Sequence, residues 1–424
     1  MTDQSGVGTV RSALPPDRAV PVDAYAIDGA LPATAVRPRS REEVATLLAA
    51  ASRAGLVVVP QGSRTALRLG RPLTRYDIAL DLGALDRVVA YEPDDLTVTV
   101  EAGLTLERLQ ALLGEHGQYL PVDAIPDGRV TIGGLLATAR PGAWRGHLPG
   151  ARDLVLGITV ALPDGSLAKS GGRVVKNVSG YDLHRLHTGA LGAYGAIVEA
   201  SFKITPLPAA TRSVAVRCAH LPQAEVVAFE LRDRSLATRA LTLLGPAAAA
   251  TAGLPGEPHV LVEFGGVEAA VDRSLKALHD VAALTHAPHA EEMGAEAWAA
   301  LNTLAAGDDG RDDIVLRLGV PPSELRAAIE AAEESGYTAW GHLASGSVVA
   351  HAQASAAAAG IEAVRSLRAQ ATAAGGFLQV EASPASLRLA LDPFGFGERE
   401  LVRALKQQFD PAGTINRGRW LEGV

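Results

Sequence analysis

Glycine-dense turns follow strand-like runs at four places in this chain: residues 60–65, 131–139, 171–183 and 189–197. Small residues in a turn can direct several backbone N–H groups toward one anion, such as a phosphate. Paired glycines, as at positions 133 and 134, let a flat ligand or a diphosphate come close to the backbone. A structural turn explains any one of these loops, but turns alone hardly explain all four.

Other chemical motifs are missing from the sequence. No Gly-x-Gly-x-x-Gly follows a strand, and no Walker-type Gly-Lys-Ser/Thr, His-Glu-x-x-His or Gly-x-Ser-x-Gly occurs. Two histidine pairs, His184 with His187 and His286 with His289, have a spacing of three residues but no evident third ligand. The sequence therefore gives no support to a hydrolase or a metalloenzyme, and we predict no metal site.

Composition limits the function classes further. The 424 residues predict two or three domains, and 48% apolar with 20% charged residues suits a soluble globular protein. The net charge of −8 provides no positive field for nucleic acid or an anionic membrane. The single cysteine, Cys218, excludes an internal disulfide, and we expect it to be a buried, inert thiol in a reducing cytoplasm. We find no secretory signal and no run long enough to span a membrane.

The first half of the chain alternates helical and strand-like patterns. Ser40 to Glu43 form a capping box that begins a helix, and Gly55 ends it before a short buried strand at 56–59. Residues 1–20 are predicted to be a mobile leader. Further strands are predicted at 77–82, 87–91, 96–101, 154–162 and 196–204, with a helix at 105–116 and a hairpin turn at 163–165.

Beyond Pro208 the texture changes to alanine-rich helices alternating with strands, which is typical of an α+β unit. We predict helices at 224–238, 268–284, 322–335, 353–374 and 398–409, and strands at 211–217, 258–264, 313–318, 346–351 and 386–391. No internal repeat is visible. The predicted division is a leader (1–20), a first domain (21–208), a second domain (209–397) and a C-terminal helix and tail (398–424).

Two runs carry a family resemblance: Arg-Asp-Leu-Val-Leu-Gly at 152–157 and Gly-Arg-Val-Val-Lys-Asn-Val-Ser-Gly-Tyr-Asp at 172–182. Over residues 31–208 and again at 410–416, the sequence resembles the FAD-binding domain of the vanillyl-alcohol oxidase, or p-cresol methylhydroxylase, type. Within that family it resembles the E subunits of bacterial glycolate oxidases. The resemblance implies an α+β fold, in which a two-part FAD-binding domain is followed by an α+β cap domain with an antiparallel sheet.

The resemblance also implies a cofactor site for FAD. It places the diphosphate on backbone N–H groups of Gln61 to Thr65, and Asn416 near the flavin. The implied cofactor-binding residues are Pro60, Gln61, Gly62, Ser63, Arg64, Thr65, Thr131, Ile132, Gly133, Gly134, Ala137, Thr138, Asp153, Lys176, Tyr181, Asp182, Ile197 and Asn416.

Two departures from the family pattern lie in the first of these loops. Family loops have a small residue where this chain has Arg64, so either the position does not need a positive φ or the guanidinium itself pairs with the diphosphate. Many relatives tether the flavin to a histidine in this loop. None occurs between residues 60 and 70, so we expect non-covalent FAD.

The candidate catalytic residue is His342. Catalytic relatives carry Gly-His-x-Gly-Asp-Gly-Asn-x-His in the second domain, whereas residues 341–349 here read Gly-His-Leu-Ala-Ser-Gly-Ser-Val-Val. Only the first histidine remains, and one histidine leaves most of a metal shell unfilled. A structural strand residue is the favoured interpretation of His342; a catalytic base and a metal ligand are the alternatives.

The leading hypothesis from this resemblance is the FAD-binding subunit of a glycolate- or D-lactate-type 2-hydroxy-acid oxidase complex. Its implied partners are a sister flavoprotein subunit and an iron–sulfur subunit, and its substrate a small 2-hydroxy acid. A free-standing FAD-dependent dehydrogenase and a non-catalytic scaffold that keeps the FAD fold are the alternatives. This hypothesis predicts a cytoplasmic location and leaves open whether partner subunits attach the protein to the inner membrane.

Overall fold

The structure is a computed structural model, and it describes residues 4–124, 128–173, 181–287, 289–307, 312–355, 360–395 and 400–420. Its helices are α1 (Gln4–Ser12), α2 (Arg41–Arg53), α3 (Leu106–Gly114), α4 (Ile132–Thr138), α5 (Ala151–Leu154), α6 (Leu183–His187), α7 (Leu221–Arg232), α8 (Pro246–Thr251), α9 (Glu268–Leu284), α10 (Ala295–Ala306), α11 (Leu325–Glu334), α12 (Ile361–Ala373), α13 (Ala385–Ala390) and α14 (Glu400–Phe409). Its strands are β1 (Ala19–Val20), β2 (Thr34–Val36), β3 (Val58–Gln61), β4 (Ile78–Asp81), β5 (Val88–Glu92), β6 (Thr97–Glu101), β7 (Gln118–Tyr119), β8 (Val155–Ala161), β9 (Leu167–Gly171), β10 (Ala196–Lys203), β11 (Thr205–Pro206), β12 (Ala210–Arg217), β13 (Thr238–Leu244), β14 (His259–Gly266), β15 (Ala290–Met293), β16 (Asp313–Gly319), β17 (Thr338–His342), β18 (Ser347–Gln353) and β19 (Phe377–Ala382).

The first sheet has the strand order β1-β2-β4-β3, and its last three strands are parallel. Helix α2 leads into β3, and its apolar face is buried in the core that this sheet shares. Ser40 begins α2 as predicted, because its side chain accepts a hydrogen bond from the Glu43 N–H. The Glu43 carboxylate accepts instead from the Arg39 N–H and from Arg18, so the capping box is only half formed.

The predicted mobile leader is wrong for residues 4–12, which form α1. Val7, Val10 and Leu14 are buried in the same core as α2 and the first sheet. The sequence did not predict this helix because its few apolar residues are spread among Gly, Ser and Thr, which are weak helix formers. Burial against α2 stabilises the helix where its intrinsic propensity does not.

The second sheet is antiparallel, with the order β5-β6-β10-β8-β9. Its alternating residues, such as Val98 and Val100 on β6, are buried with the apolar faces of α3 and α4. The turn at 163–165 joins β8 to β9 in the antiparallel hairpin that the sequence predicts.

The third sheet has eight strands in the order β15-β12-β14-β13-β17-β18-β16-β19. It contains two βαββαβ units, β12-α7-β13-β14-α9-β15, in which the short helix α8 is inserted between β13 and β14, and β16-α11-β17-β18-α12-β19. Each unit places its strands in the order 4-1-3-2. The units join through their second strands, where Leu243 pairs with Gly341. Each is a ferredoxin-like unit, so the second half of the chain uses the same topology twice. The sequence showed no repeat, because the two units share a topology and not a residue pattern.

The strand predicted at 386–391 is also wrong, because these residues form α13. Leu387, Leu389 and Leu391 alternate with other residues as they would in a strand. Pro384 instead begins a helix in which Arg388 is fully buried. The Arg388 guanidinium donates to the carbonyls of Ser383 and Gly70. The strand at this edge of the third sheet is β19, at Phe377–Ala382.

The C-terminal segment returns to the first sheet. Residue Ile415 pairs in parallel with Val58 of β3, the Val58 N–H donates to the Thr414 carbonyl (2.7 Å), and the Asn416 N–H donates to the Val58 carbonyl (3.0 Å). The predicted domain limits stay a prediction. Among the described helices, none is both long and apolar enough to cross a bilayer.

Candidate functional site

A cleft lies where β3, the start of α4 and the C-terminal segment meet. It consists of two adjoining cavities of about 110 and 80 Å³. Both cavities are lined by Pro60, Gln61, Gly62, Thr131, Gly134, Ala137, Leu191 and Asn416. Ser63, Arg64, Thr65 and Thr138 line the first cavity, and Gly133 and Ile197 line the second. The structure therefore brings most of the predicted cofactor residues together from four separate segments.

The first turn requires glycine at position 62. A Cβ built there would lie 2.2 Å from Oγ1 of Thr131, which is far too close for any side chain. The turn after β3 is thus in direct contact with the residue that caps α4. This close approach joins two of the four glycine-dense loops into one wall of the cleft.

Arg64 adopts a left-handed conformation, with φ of 64°. The expectation that this position does not need a positive φ is therefore wrong. A non-glycine residue there is strained, and the Arg64 guanidinium lies 5.1 Å above the centre of the Tyr25 ring, which offers it a cation–π contact. Arg64 also lines the first cavity, so the alternative, a contact with the diphosphate, stays a prediction.

The two glycines of the second loop have different surroundings. The Gly133 N–H donates to the Ala102 carbonyl (2.7 Å), and a Cβ at Gly133 would lie 3.0 Å from that of Ala102. Gly134 borders both cavities, and the nearest atom to a Cβ there would be Oγ1 of Thr131 at 3.2 Å. Gly133 thus permits close packing, whereas Gly134 leaves space in the cleft.

A buried ion pair positions the C-terminal wall of the cleft. The Lys406 ammonium donates to the carbonyls of Ala193 and Ile415 (2.7 Å each) and to the Asp410 carboxylate (2.8 Å). Asp410 in turn accepts from the Ile415 N–H. Asn416 follows directly, and its amide donates to the Leu191 carbonyl at 2.8 Å.

Several predicted cofactor residues lie elsewhere. Asp153 accepts a hydrogen bond from the Gly150 N–H, and its side chain is 55% exposed and outside the cleft. Tyr181 is 89% exposed, Asp182 precedes α6, and Ile132 is buried in the core beneath the second sheet. Lys176 lies outside the described residues. Tyr181 and Asp182 were predicted from their membership of the motif at 172–182, which does not report where a side chain points.

Leu191 and Arg419 are among the cleft residues that sequence reasoning missed. Leu191 has a φ of 51° within the fourth glycine-dense loop, so that loop was the available signal. Arg419 follows Asn416 by three residues, and only its place in the same tail could have indicated it.

The charge of the cleft favours an anionic ligand. Two guanidinium groups, those of Arg64 and Arg419, line the first cavity, and no Asp or Glu lines either cavity within the described ranges. Oε1 of Gln61 is buried there without a hydrogen-bond partner in the described structure. An unpaired buried acceptor and a positive wall both fit a ligand that carries donors and a diphosphate, as FAD does.

His342 lies on β17 outside the walls of both cavities. Its Nδ1 is 2.9 Å from the Thr242 hydroxyl, and burial together with the nearby Arg317 lowers its pKa to about 3. Of the other motif positions, Ser347 accepts a hydrogen bond from Arg317 (2.9 Å) and Val349 packs in an apolar cluster. The geometry supports the structural interpretation of His342. Its catalytic role stays a prediction that no contact favours.

A buried triad joins the segment after α4 to the third sheet. Glu381 of β19 accepts from Arg317 of β16 and, at 3.0 Å, from Arg140. Arg317 also donates to the Pro141 carbonyl at 3.1 Å. Burial raises the pKa of Glu381, but the two guanidinium groups lower it more, so it stands at about 2.

We expect Glu381→Gln to destabilise the protein by about 3–5 kcal/mol at neutral pH, because it leaves two buried guanidinium groups without their counterion. Since the folded pKa of Glu381 is depressed, its stabilisation is fully present above pH 4.5 and is lost as the pH falls toward 2. Urea unfolding at several pH values measures both effects. Glu362→Gln, at an exposed ion pair with Arg365, is the control. Equal stability of the Glu381 and Glu362 variants would contradict the prediction.

Comparison with known proteins agrees with this geometry. Residues 32–171 match the model of a family described as FAD binding domain. The chain is 37% identical over 158 residues to glycolate oxidase subunit GlcE of Escherichia coli (strain K12), which covers 37% of this chain and 45% of that protein. It is 32% identical over 178 residues to the mitochondrial D-lactate dehydrogenase [cytochrome] of Arabidopsis thaliana, covering 42% of this chain and 31% of that one. The matched parts thus span less than half of either relative.

Structural comparison extends over nearly the whole chain. The crystal structure of p-cresol methylhydroxylase with substrate bound superimposes with a TM-score of 0.76 and 15% identity, covering 98% of this chain and 96% of that one. At this identity the likeness concerns the fold. This protein therefore carries an FAD-binding domain over residues 32–171 and has the fold of p-cresol methylhydroxylase.

Proposed function

We propose that this protein is an FAD-dependent oxidoreductase for a small 2-hydroxy acid and that it works as the FAD-binding subunit of a complex. The observation that carries the proposal is the cleft, which gathers the turn at 61–65, the start of α4, Ile197 and Asn416 around a positive wall. The names of the relatives, a glycolate oxidase subunit and a D-lactate dehydrogenase, support the substrate class.

In this proposal FAD, when bound, supplies the redox chemistry by accepting the electrons of the hydroxy acid. The chain's own residues bind and orient it. Backbone N–H groups of Gln61 to Thr65 donate to the diphosphate, Gly134 leaves room for it, and Asn416 closes the cleft from the C-terminal side. Lys406 and Asp410 hold Asn416 in place.

A subunit is favoured over a free-standing enzyme because the cleft lacks a general base. Within the described ranges, no Asp, Glu, His or Lys side chain lines either cavity. We propose that a sister flavoprotein subunit supplies the proton-removing group and that an iron–sulfur subunit accepts the electrons. Co-purification of the tagged chain with proteins encoded beside it tests the assembly, and a monomer that reduces its flavin with substrate alone contradicts it.

We expect the FAD to be bound without a covalent link, since no histidine occurs in the first loop between residues 60 and 70. Acid precipitation of the purified yellow protein should therefore release all flavin absorbance to the supernatant. Colour that stays in the washed pellet would show a covalent bond.

A further inference from the structure

Arg419 is a buried arginine of the C-terminal segment, with 6% of its surface exposed. Its Nη2 donates to the carbonyls of Leu67 (2.6 Å) and Leu69 (2.7 Å), which follow the first turn of the cleft. The Arg419 carbonyl accepts from the Arg71 N–H at 2.7 Å. Both the side chain and the backbone of Arg419 are therefore bonded to residues 67–71, which follow the first turn.

The second terminal nitrogen of this guanidinium, Nη1, is buried and has no hydrogen-bond partner in the described part of the chain. The carboxylate of Asp28, which acts electrostatically on Arg419, is paired with Arg388. Burial and the charge of Arg388 lower the pKa of Arg419 to about 10, so the guanidinium stays protonated at neutral pH. A buried cation without a counterion is costly, and proteins rarely keep one without a use.

The position of Arg419 indicates that use. It lines the first cavity together with residues 61–65 of the turn, and that cavity has no acidic side chain among its described walls. The missing counterion must come from what the cleft binds, and a dianionic diphosphate matches both the charge and the free donor.

We propose that Arg419 is a cofactor-binding residue whose Nη1 donates to the diphosphate of FAD. The inference rests on the FAD-binding part of the proposed function and does not depend on the substrate. It differs from the backbone contacts expected of the turn, because it assigns a fixed positive charge to the site.

The test compares apoprotein variants of the full chain. Arg419→Met removes the charge and every donor, while Arg419→Gln removes the charge and keeps one amide that can still donate to Leu67 or Leu69. Arg417→Met is the matched control, because Arg417 lies in the same segment and donates only to the carbonyls of Gly413 and Ala412. The dissociation constant for FAD is measured by flavin fluorescence, and that for ADP, which carries a diphosphate without a flavin, by competition.

We expect both Arg419 variants to bind FAD and ADP about 10- to 100-fold more weakly, as the loss of a charge-assisted hydrogen bond predicts. The control should bind both within twofold of the wild type. Thermal unfolding of the apoproteins shows which variants are folded. If Arg419→Met does not fold, the affinities of Arg419→Gln alone test the inference. A folded Arg419 variant that binds FAD and ADP as the wild type does would overturn the inference. A wild-type chain that binds ADP but no FAD would instead overturn the cofactor assignment.

Discussion

Replacing Gly134 with valine is expected to remove most FAD binding while the chain stays folded. Gly134 borders both cavities, and a Cβ there would already lie 3.2 Å from Oγ1 of Thr131. The two methyl groups of valine then have to occupy the space between α4 and the turn at 61–65. We expect a cost of about 1–3 kcal/mol to binding, which corresponds to roughly 5- to 150-fold in affinity.

Folding should tolerate this change because the core is on the other side of α4. Ile132, Leu135 and Leu136 are buried there, whereas Gly134 is only partly buried. Gly114→Val in α3 is a matched control, since a Cβ at Gly114 would meet nothing within 4 Å and the residue is outside the cleft. FAD titration and circular dichroism of both variants provide the measurement. Wild-type affinity in Gly134→Val would show that the cofactor lies elsewhere.

The parts of the cleft that the sequence could predict are those coded by local patterns. A strand followed by a turn at Gly62 and the paired glycines 133 and 134 are each visible within a few residues, because glycine acts locally. The contact between these two segments, with Gly62 against Oγ1 of Thr131, depends on the two sheets being packed together, and no window of sequence contains it. The resemblance supplied that long-range information.

Tertiary contacts also explain why the sequence analysis predicted a strand at 386–391, predicted no helix at 4–12 and missed Arg419. Leu387 and Leu389 gave α13 the alternation of a strand, but the buried Arg388 finds its acceptors only in a helix placed against Gly70. Helix α1 has little intrinsic propensity and exists because α2 offers an apolar face. Arg419 was missed for the same reason, since the lack of a partner for Nη1 is a property of the folded chain.

The isolated chain is expected to be a poor 2-hydroxy-acid dehydrogenase that needs a partner subunit. General-base removal of the hydroxyl proton contributes about 10²- to 10⁴-fold to such reactions. His342, the one member of the motif's His, Asp, Asn and His set that this chain keeps, is buried, hydrogen-bonded to Thr242 and, with a pKa of about 3, neutral at physiological pH. A base must also lie within hydrogen-bond reach of its proton, and His342 lines neither cavity.

The remaining motif positions cannot replace it. The Ser347 hydroxyl is engaged by Arg317, and Val349 offers no polar atom. Arg140 and Arg317 are both paired with Glu381 in the buried triad, and drawing them away to bind a substrate carboxylate would leave Glu381 buried without its counterions. Binding of FAD can therefore be intact in this chain while several kcal/mol of barrier lowering, on the order of 3–5 kcal/mol for the missing base, are absent.

The measurement is anaerobic bleaching of the bound flavin by glycolate, D-lactate and larger 2-hydroxy acids, with the isolated chain and then with its co-encoded partners. We expect reduction of the isolated chain to be at least about 100-fold slower than in the assembly, in keeping with the contribution of a general base. His342→Ala should leave the slow rate unchanged, because a buried neutral imidazole outside the cleft takes no part in proton removal. Fast reduction of the isolated chain that His342→Ala abolishes would reverse this conclusion, since it would require β17 to move and bring His342 into the cleft as the base of a free-standing enzyme.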